Sequence, residues 1–564
     1  MRKIVEFFSE RGTLVQPEAA EYLSRIEDPL AFAVRLAEKL KEAPLMLTLD
    51  MVKEFEESSA EEESDAAAVA PSAESAGQKR AVSRILDLLE RGGRRTGGDE
   101  EGEEPGDEAG ADGDDGGGGE DQDGGPTKGG RLFDYHISKA PGWRPLAAEY
   151  DAALEIKSDV TGNSTCEGTL KDFSLLFSDR YDSLSKLLRR QRREVMNALP
   201  LGRIKNAPSN ELQLIGMVSD VRTTVNGHRL IELEDDTGTA TTIALKSNPD
   251  AISLAETVIM DEVVGITGRL SKNGELVIIE NLVRPDVSMH RTPNRAELPL
   301  YAAFASDVHI GSNTFLEKEW EGMLRWLNGN VGNGRQRDVV GKIKYLILPG
   351  DVVDGIGIYP NQDKELLIPD IYGQYDALAK QLEMVPDHIR IIVQPGNHDA
   401  VRPAEPQPAF SRGILELFPS GNISFVGNPC KFSLHGVNVL SYHGQSLIDF
   451  ATKIQSLTYD KPMPIMKTML RMRHLAPFYG GRTPLAPEHR DYMVIDEVPD
   501  IFVTGHVHLT GVDTYRGVTM INASAWQSQT DYQKMMNFIP DPAKLPVVDL
   551  KSGSTTVVDF SRPL

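Results

Sequence analysis

Lys344-Tyr345-Leu346-Ile347-Leu348 is a short apolar run that leads into Gly350-Asp351-Val352-Val353-Asp354. The run predicts a buried strand, and the motif after it carries two carboxylates. The second half of the chain repeats this order of apolar run and polar motif. The five pairs are YAAFA before Asp307-Val308-His309, KYLIL before Gly350–Asp354, IRIIV before Gly396-Asn397-His398-Asp399, VNVLS before Tyr442-His443-Gly444, and DIFV before Gly505-His506-Val507-His508. Sites in open α/β sheets form where strands end, so the motifs predict ligands along one edge of a sheet.

The residue types in these motifs suit two divalent metal ions. Carboxylate oxygen, amide oxygen and imidazole nitrogen are the ligands that hard or borderline divalent metals prefer. We expect one ion to be held by Asp307, His309 and His508, and the other by Asn397, His443 and His506. Asp351 has two carboxylate oxygens and can bridge both ions. Two ions held in this way clamp a phosphoryl group and lower the pKa of a bound water.

Three further motif residues have other expected roles. His398 follows the ligand Asn397 but points the other way, so we expect it to hydrogen-bond a phosphate oxygen or to protonate the leaving oxygen. Asp354 and Asp399 either cap a helix or orient a neighbouring ligand, and we expect them to act around the metals and not on them.

Together the five motifs resemble those of the calcineurin-like metallophosphoesterases: D-x-H, G-D-x-x-D, G-N-H-D/E, a single His, and G-H-x-H. Every ligand position of that pattern is filled in this chain. The resemblance implies a four-layer α/β sandwich, with two mixed sheets between helices, over residues 298–564.

Composition and charge describe the rest of the chain. Of a net charge of −24, thirteen acidic residues lie between Thr96 and Thr127, so the total does not argue against a nucleic-acid substrate. Residues 56–130 are rich in Ser, Gly, Asp and Glu and predict a disordered acidic linker. Residues 1–55 predict a small helical domain, with Asp28-Pro29 as a helix start. An N-terminus without a signal peptide, apolar stretches too short for a membrane span, and two cysteines predict a cytoplasmic protein.

Two segments lie between the linker and the motifs. Residues 131–210 predict a mixed connector, in which Phe173–Arg193 is helical and ends in a basic cluster that either contacts phosphates or is simply solvated. Residues 211–290 predict five strands with a helix between the third and the fourth, which is the order of an OB-fold. Between Glu211 and Val287 this segment has no Phe, Tyr or Trp, which favours protein docking or an electrostatic role over base stacking.

The order of an OB-fold and then a metallophosphoesterase domain resembles the small subunits of archaeal family-D DNA polymerases. The segment Lys467–Asp500, which leads into the last metal motif, carries the closest resemblance. The resemblance implies a heterodimer with a large catalytic polymerase subunit, and a 3′→5′ exonuclease that removes misincorporated nucleotides from DNA. It favours Mn²⁺, although the ligands also suit Fe²⁺ or Zn²⁺.

In that segment we expect the DNA path to be lined by Arg471, Arg473, His474 and Arg482. A stand-alone phosphoesterase and a catalytically silent structural subunit remain open as alternatives.

Overall fold

The computed structural model describes two compact units, Met1–Pro105 and Gly106–Leu564. The described residues are 133, 135–207, 209–419 and 421–562, together with residues 14–15, 22–23, 32, 36, 46–47, 52 and 55 of the first unit. The predicted acidic linker at 56–130 lies outside them.

In the first unit, a short parallel strand pair accompanies scattered helical residues. Strands β1 (Leu14–Val15) and β2 (Met46–Leu47) pair in parallel. The rings of Phe32 and Phe55 meet edge to face at 5.3 Å, and both side chains are buried. The sequence predicts a small helical domain over residues 1–55, and the strand pair is a feature that this prediction did not include.

The second unit combines many short strands with helices on either side. Its strands are β3 (Leu154–Ser158), β4 (Glu211–Thr223), β5 (Arg229–Asp235), β6 (Gly238–Ala244), β7 (Val263–Leu270), β8 (Val277–Val283), β9 (Tyr301–Phe304), β10 (Ile343–Pro349), β11 (Arg390–Gln394), β12 (Ile423–Phe425), β13 (Cys430–Leu434), β14 (Val437–Ser441), β15 (Ile501–Thr504), β16 (Gly511–Tyr515), β17 (Val518–Asn522), β18 (Lys544–Asp549) and β19 (Thr555–Asp559).

The helices of this unit are mostly short. They are α1 (Leu170–Gln191), α2 (Pro249–Ala255), α3 (Glu317–Leu327), α4 (Gly334–Val340), α5 (Ile371–Leu382), α6 (Arg412–Leu415), α7 (Leu447–Lys453), α8 (Pro462–Met472) and α9 (Asp531–Met535), with 3₁₀ turns at Leu146–Glu149, Arg193–Val195, Leu201–Asn206 and Gln362–Lys364. Within the part of the chain that the structure describes, no helix is both long and apolar enough to cross a lipid bilayer.

Strands β4 to β8 form a closed barrel in the order β4-β5-β6-β8-β7. The long strand β4 pairs with both β5 and β7, which closes the barrel. Helix α2 lies between β6 and β7 in the chain, so the predicted order of three strands, a helix and two strands is observed. The interior is apolar, with Leu214, Ile231 and Ile266 fully buried.

The remaining strands form two six-stranded sheets, β12-β11-β10-β9-β18-β19 and β16-β17-β15-β14-β13-β3. Alternate residues of one strand enter different apolar clusters. Tyr345 and Ile347 of β10 pack with the second sheet, whereas Leu346 and Leu348 pack with helices α3 and α5. On the far side, Phe502 of β15 packs with α7 and α8. Burial on both faces explains why these strands read as unbroken apolar runs.

The five predicted strands are all present, as β9, β10, β11, β14 and β15. They were expected to share one sheet edge, and this part of the prediction is wrong. β9, β10 and β11 belong to the first sheet, and β14 and β15 to the second. Neighbouring strands lie about 4.8 Å apart, so five strand ends in one sheet would spread over about 20 Å. Two sheets packed face to face bring the same strand ends much closer together.

Candidate metal centre

The backbone turns sharply at the strand ends that carry the ligands. Five of the seven predicted ligands have a positive φ: Asp307 (53°), His309 (52°), Asp351 (50°), His506 (68°) and His508 (54°). The left-handed region is uncommon for residues other than glycine, although Asp, Asn and His tolerate it best. Such residues cluster at functional sites, where the surrounding structure holds the strain.

Motif glycines let the backbone approach the ligand side chains. Gly350 has a φ of 102°, and a Cβ there would lie 2.7 Å from the ring carbon Cγ of His443. A Cβ at Gly505 would lie 2.5 Å from Oδ2 of Asp307. Any larger residue at either position would therefore displace a ligand.

One group that could hold a metal ion consists of Asp307, His309 and His508, which the sequence predicts as the ligands of one ion. The Nε2 atoms of the two histidines are 3.1 Å apart, and Nε2 of His508 is 3.4 Å from Oδ1 of Asp307. Nδ1 of His309 lies 3.1 Å from Oδ1 of Asp354. Asp354 accepts that hydrogen bond when ionised, so Nδ1 carries the proton and Nε2 directs a lone pair into the group.

The second group forms around His443. Nδ1 of His443 lies 2.9 Å from the carbonyl oxygen of Pro349, which can only accept, so Nδ1 carries a proton. Its Nε2 lies 3.0 Å from Oδ1 of Asn397 and 3.2 Å from Oδ2 of Asp351. A proton on Nε2 can be shared with these oxygens, and an ion that replaces this proton would be held by the nitrogen and both oxygens. This donor set fits a cation.

His506 completes the second group. His506, His443 and Asp351 offer ligand atoms that all lie within 4.8 Å of one another. The backbone N–H of His506 also donates to both carboxylate oxygens of Asp307, at 3.0 and 2.9 Å, and so orients a ligand of the first group. Asp351 reaches the first group as well, because its Oδ2 is 3.9 Å from Nε2 of His309. Its position between the groups suits a bridging ligand.

Burial and mutual charge control the ionisation of the centre. Burial raises the pKa of Asp351, but the neighbouring imidazoles of His443 and His398 outweigh it and hold that pKa well below its usual value. Burial lowers the pKa of His443, but the charge of Asp351 outweighs this and raises it to about 10. Burial and the charge of His443 lower the pKa of His506 to about 3. His506 is therefore neutral and has a lone pair available.

His398 lies beside the metal groups with one ring nitrogen engaged. Its Nδ1 is 2.8 Å from the carbonyl oxygen of Asp354 and must donate to it. The His398 ring stands at 90° to that of His309, with the centroids 4.7 Å apart. Its backbone N–H donates to Oδ1 of Asp351 at 2.8 Å, which ties it to the proposed bridge. The side chain is half-buried, and Nε2 remains available for a substrate.

Asp354 and Asp399 are placed to orient their neighbours, and neither caps a helix in this structure. Asp354 accepts from amides of Gln362 and Gln527, both at 3.0 Å, in addition to His309. Its oxygens are thus already occupied, although His309, Asp354 and His398 also lie close enough to hold an ion.

The carboxylate of Asp399 accepts from the backbone N–H of Gly396 at 2.8 Å and from the hydroxyl of Tyr375 at 3.1 Å. Burial and the charge of Asp351 raise the pKa of Asp399 to about 7.

Two of the four predicted DNA-contacting residues are inaccessible, which corrects that expectation for them. Arg473 is buried, and its guanidinium donates to the carbonyls of Ile495 and Asp496, both at 2.7 Å. His474 is buried with Nε2 at 2.9 Å from Asp491. Their partners lie in the same segment, Lys467–Asp500, which folds back on itself. Arg471 is half-buried and Arg482 is exposed, so only these two remain accessible.

Sequence reasoning missed the amides and aromatics that support the ligands. Gln533 reaches Nδ1 of His508 at 3.0 Å, and the amide of Asn428 accepts from the backbone N–H of His443 at 2.9 Å. Tyr459 lies beside His506, with ring centroids 6.4 Å apart. None of them follows a strand in a recognisable motif, so no local signal marked them.

Comparisons with known proteins place these motifs in a family. Residues 302–511 match the family model that describes the B-subunits of DNA polymerases alpha and epsilon, a span that contains all seven predicted ligands. The "DNA polymerase II small subunit" of Methanocaldococcus jannaschii is 43% identical over 408 residues, which cover 72% of this chain and 68% of the relative. The protein of the same name from Archaeoglobus fulgidus is 45% identical over 396 residues, covering 70% of this chain and 78% of the relative.

A third relative of that name, from Methanothermobacter thermautotrophicus, is 42% identical over 424 residues, covering 75% of this chain and 86% of the relative. Identity at this level over most of the relatives' length extends well beyond the metal motifs. The chain therefore belongs to the family of archaeal DNA polymerase II small subunits, the small subunits of the family-D polymerases.

Proposed function

We propose that this chain is a two-metal 3′→5′ exonuclease that removes nucleotides from DNA 3′ ends within a two-subunit replicative DNA polymerase. Family membership supports the role in a polymerase, because the relatives carry that name. The metal centre supports the nuclease. The observation that carries the proposal is the convergence at His443, where one imidazole nitrogen lies close to the oxygens of Asn397 and Asp351, three atoms of the kinds that bind divalent metals.

Each metal has a proposed set of ligands. Asp307, His309 and His508 hold one ion, Asn397, His443 and His506 hold the other, and Asp351 joins the two. Bound there, the ions would supply a nucleophilic water at neutral pH and neutralise charge on the phosphate. We propose Mn²⁺ because the family resemblance favours it; the carboxylate, amide and imidazole ligands also suit Fe²⁺ and Zn²⁺.

His398 acts on the substrate in this proposal. The carbonyl of Asp354 accepts from Nδ1 and so fixes the proton there. This leaves Nε2 as the ring nitrogen that would contact a bound phosphodiester. When protonated, Nε2 donates to a phosphate oxygen or passes its proton to the leaving 3′ oxygen. Asp354 and Asp399 keep His309, Gly396 and the turn around Val352 in place, as judged from the hydrogen bonds that they accept.

The domain assignments follow from the same family. We propose that residues 298–564 form a calcineurin-like metallophosphoesterase sandwich, which holds every strand of the two six-stranded sheets except β3 of the preceding connector. The five-stranded barrel within residues 211–290 is proposed to be an OB-fold. A large catalytic polymerase subunit is the proposed permanent partner, and Arg471 and Arg482 are the remaining candidates for contacts with DNA.

One experiment tests the nuclease against its alternatives. The full chain, purified and loaded with Mn²⁺, is offered 3′-labelled single-stranded DNA, a primer-template with a 3′ mismatch and a simple aryl phosphate. We expect stepwise release of nucleotides from the DNA 3′ ends, and more from the mismatched end than from a paired one. Preference for the aryl phosphate would support a stand-alone phosphoesterase. No hydrolysis by the chain, alone or with its large subunit, would support a structural subunit.

A further inference from the structure

Exposed apolar side chains concentrate in two segments beside the metal centre. In the described part of the chain, fifteen large hydrophobic side chains are exposed, and seven of them lie in segments 356–367 and 532–539. These seven are Ile356, Ile358, Leu367, Tyr532, Met535, Met536 and Ile539. The first segment begins two residues after Asp354, and the second contains Gln533, which contacts His508. An exposed apolar patch of this kind marks a surface for a ligand or a partner.

Two tyrosines, one from each segment, pack against each other next to His398. The rings of Tyr359 and Tyr532 are stacked, with an interplanar angle of 28° and centroids 6.0 Å apart. The centroid of Tyr359 is 6.3 Å from that of His398. Tyr359 is held in place because its hydroxyl donates to Glu365 at 2.9 Å. Tyr532 is 48% exposed, so much of its side chain faces solvent.

We propose that Tyr532, supported by Tyr359, is the platform on which the base of the 3′-terminal nucleotide stacks while its phosphodiester lies at the metal centre. This inference rests on the proposed nuclease function. The two apolar segments and the stacked rings support this inference, because aromatic rings beside a phosphodiester site bind bases through their faces, whatever the base. The aromatic-free barrel leaves this stacking role open.

The proposal has a consequence for substrate choice. A base that is paired in a duplex is stacked on its neighbour and cannot lie on Tyr532 without leaving the helix. A mismatched or single-stranded terminal base pays little for that release. The platform therefore favours unpaired 3′ ends, which is the preference that a proofreading nuclease needs.

The test pairs changes in the ring with changes in the base. The full chain with Mn²⁺ is given single strands that end in a normal nucleotide or in an abasic one. We expect wild type to cleave the normal end about 5- to 150-fold more efficiently, the range that stacking of one base on one aromatic side chain gives. Tyr532→Leu should lose this preference and still cleave the abasic end at the wild-type rate, whereas Tyr532→Trp should keep it.

Tyr372→Leu is the matched control. Tyr372 is similarly exposed, at 53%, but its hydroxyl lies beside Gly413. This variant should behave as wild type. A second readout does not need cleavage: in the His398→Ala background, a 3′-terminal 2-aminopurine should lose fluorescence on binding through stacking, and Tyr532→Leu should prevent the loss.

Three results would overturn the proposal. Tyr532→Leu could keep the preference for a normal base, or slow the abasic and normal ends equally. Alternatively, it could leave base preference intact and weaken assembly with the large polymerase subunit, which would make this patch a protein interface. If wild type cleaves no DNA 3′ end, the nuclease proposal fails on its own, and the fluorescence readout still decides whether Tyr532 stacks a base.

Discussion

At the residue scale, Asp351 combines a ligand role with an unusual backbone. Its φ of 50° is tolerated by Asp and Asn, whereas alanine there adds strain. Asp351→Asn therefore tests the bridge better than Asp351→Ala. We expect Asp351→Asn to bind fewer than two ions and to lose nuclease activity, because an amide offers one oxygen and no charge. Metal content by mass spectrometry and 3′-end cleavage measure this, and two tightly bound ions with near wild-type activity would refute the bridging assignment.

His398 and His443 provide a second residue-scale prediction because both are imidazoles of the same centre. His398→Ala should retain the metal stoichiometry and slow cleavage by roughly 10² to 10⁴, the range of a positioned acid–base group. His443→Ala should instead lose an ion, since its Nε2 faces the ligand oxygens of Asn397 and Asp351. The two variants serve as controls for each other. Equal loss of metal in both variants would contradict the assignment of His398 to the substrate and of His443 to a metal ion.

At the element scale, one buried cation of helix α1 contacts two other parts of its unit. The side chain of Arg180 is 1% exposed, and Nε donates to Oδ2 of Asp491 at 2.7 Å. Its Nη1 donates to the carbonyl of Pro477 at 2.6 Å and lies 3.5 Å from that of Asp261, next to the barrel strand β7. Arg180 thus joins α1 to the Lys467–Asp500 segment and to the barrel.

Removing this cation should destabilise the fold. Arg180→Met would remove the Arg partner of the buried Asp491 carboxylate and leave only His474 beside it, and we expect the free energy of unfolding to fall by up to about 3–5 kcal/mol. The control on the same helix is Lys186→Met. Lys186 is exposed and forms only a 3.6 Å pair with Asp182, so its loss should change stability by less than about 0.5 kcal/mol. Chemical denaturation of both variants measures the difference, and equal stabilities would contradict it.

The same pair predicts a dependence on pH. Burial raises the pKa of Asp491, but the charges of His474 and Arg180 outweigh it and hold that pKa below its usual value. A carboxyl with a lowered pKa in the folded state stabilises the protein above its unfolded pKa of about 3.9, and this stabilisation is lost as pH falls. The stability gap between wild type and Arg180→Met should therefore narrow below about pH 4. If the stability difference widened in acid, ionised Asp491 would not be the source of that difference.

Local patterns predicted the strands but not their assembly. The apolar runs were recognisable because strands such as β10 are buried on both faces, and each motif marks a strand end. Their division between two sheets depends on pairing across distant parts of the chain, which no single run encodes. Lys467–Asp500 predicts a DNA path because it is basic and leads into the last metal motif. The interior partners of Arg473 and His474 exist only once the segment folds.

At the scale of the whole molecule, negative charge is concentrated in one stretch. Thirteen acidic residues and no Lys or Arg lie between Thr96 and Thr127, so this stretch supplies more than half of the net charge of −24. This stretch contains none of the ligand motifs, and its residues lie outside those that the structure describes. Negative charge of this density repels a DNA backbone, and salt screens that repulsion over a distance of about 10 Å at 0.1 M.

Deleting residues 97–126 should therefore leave nuclease activity intact and strengthen DNA binding at low salt. A variant in which a neutral Gly/Ser stretch of equal length replaces these residues separates charge from chain length, and it should bind DNA as the deletion does. The advantage of both variants should fade as salt rises, because screening already removes the repulsion. Binding isotherms and 3′-end cleavage over a salt series measure this. If the deletion abolished cleavage while the neutral replacement restored it, the stretch would be a spacer that the nuclease requires.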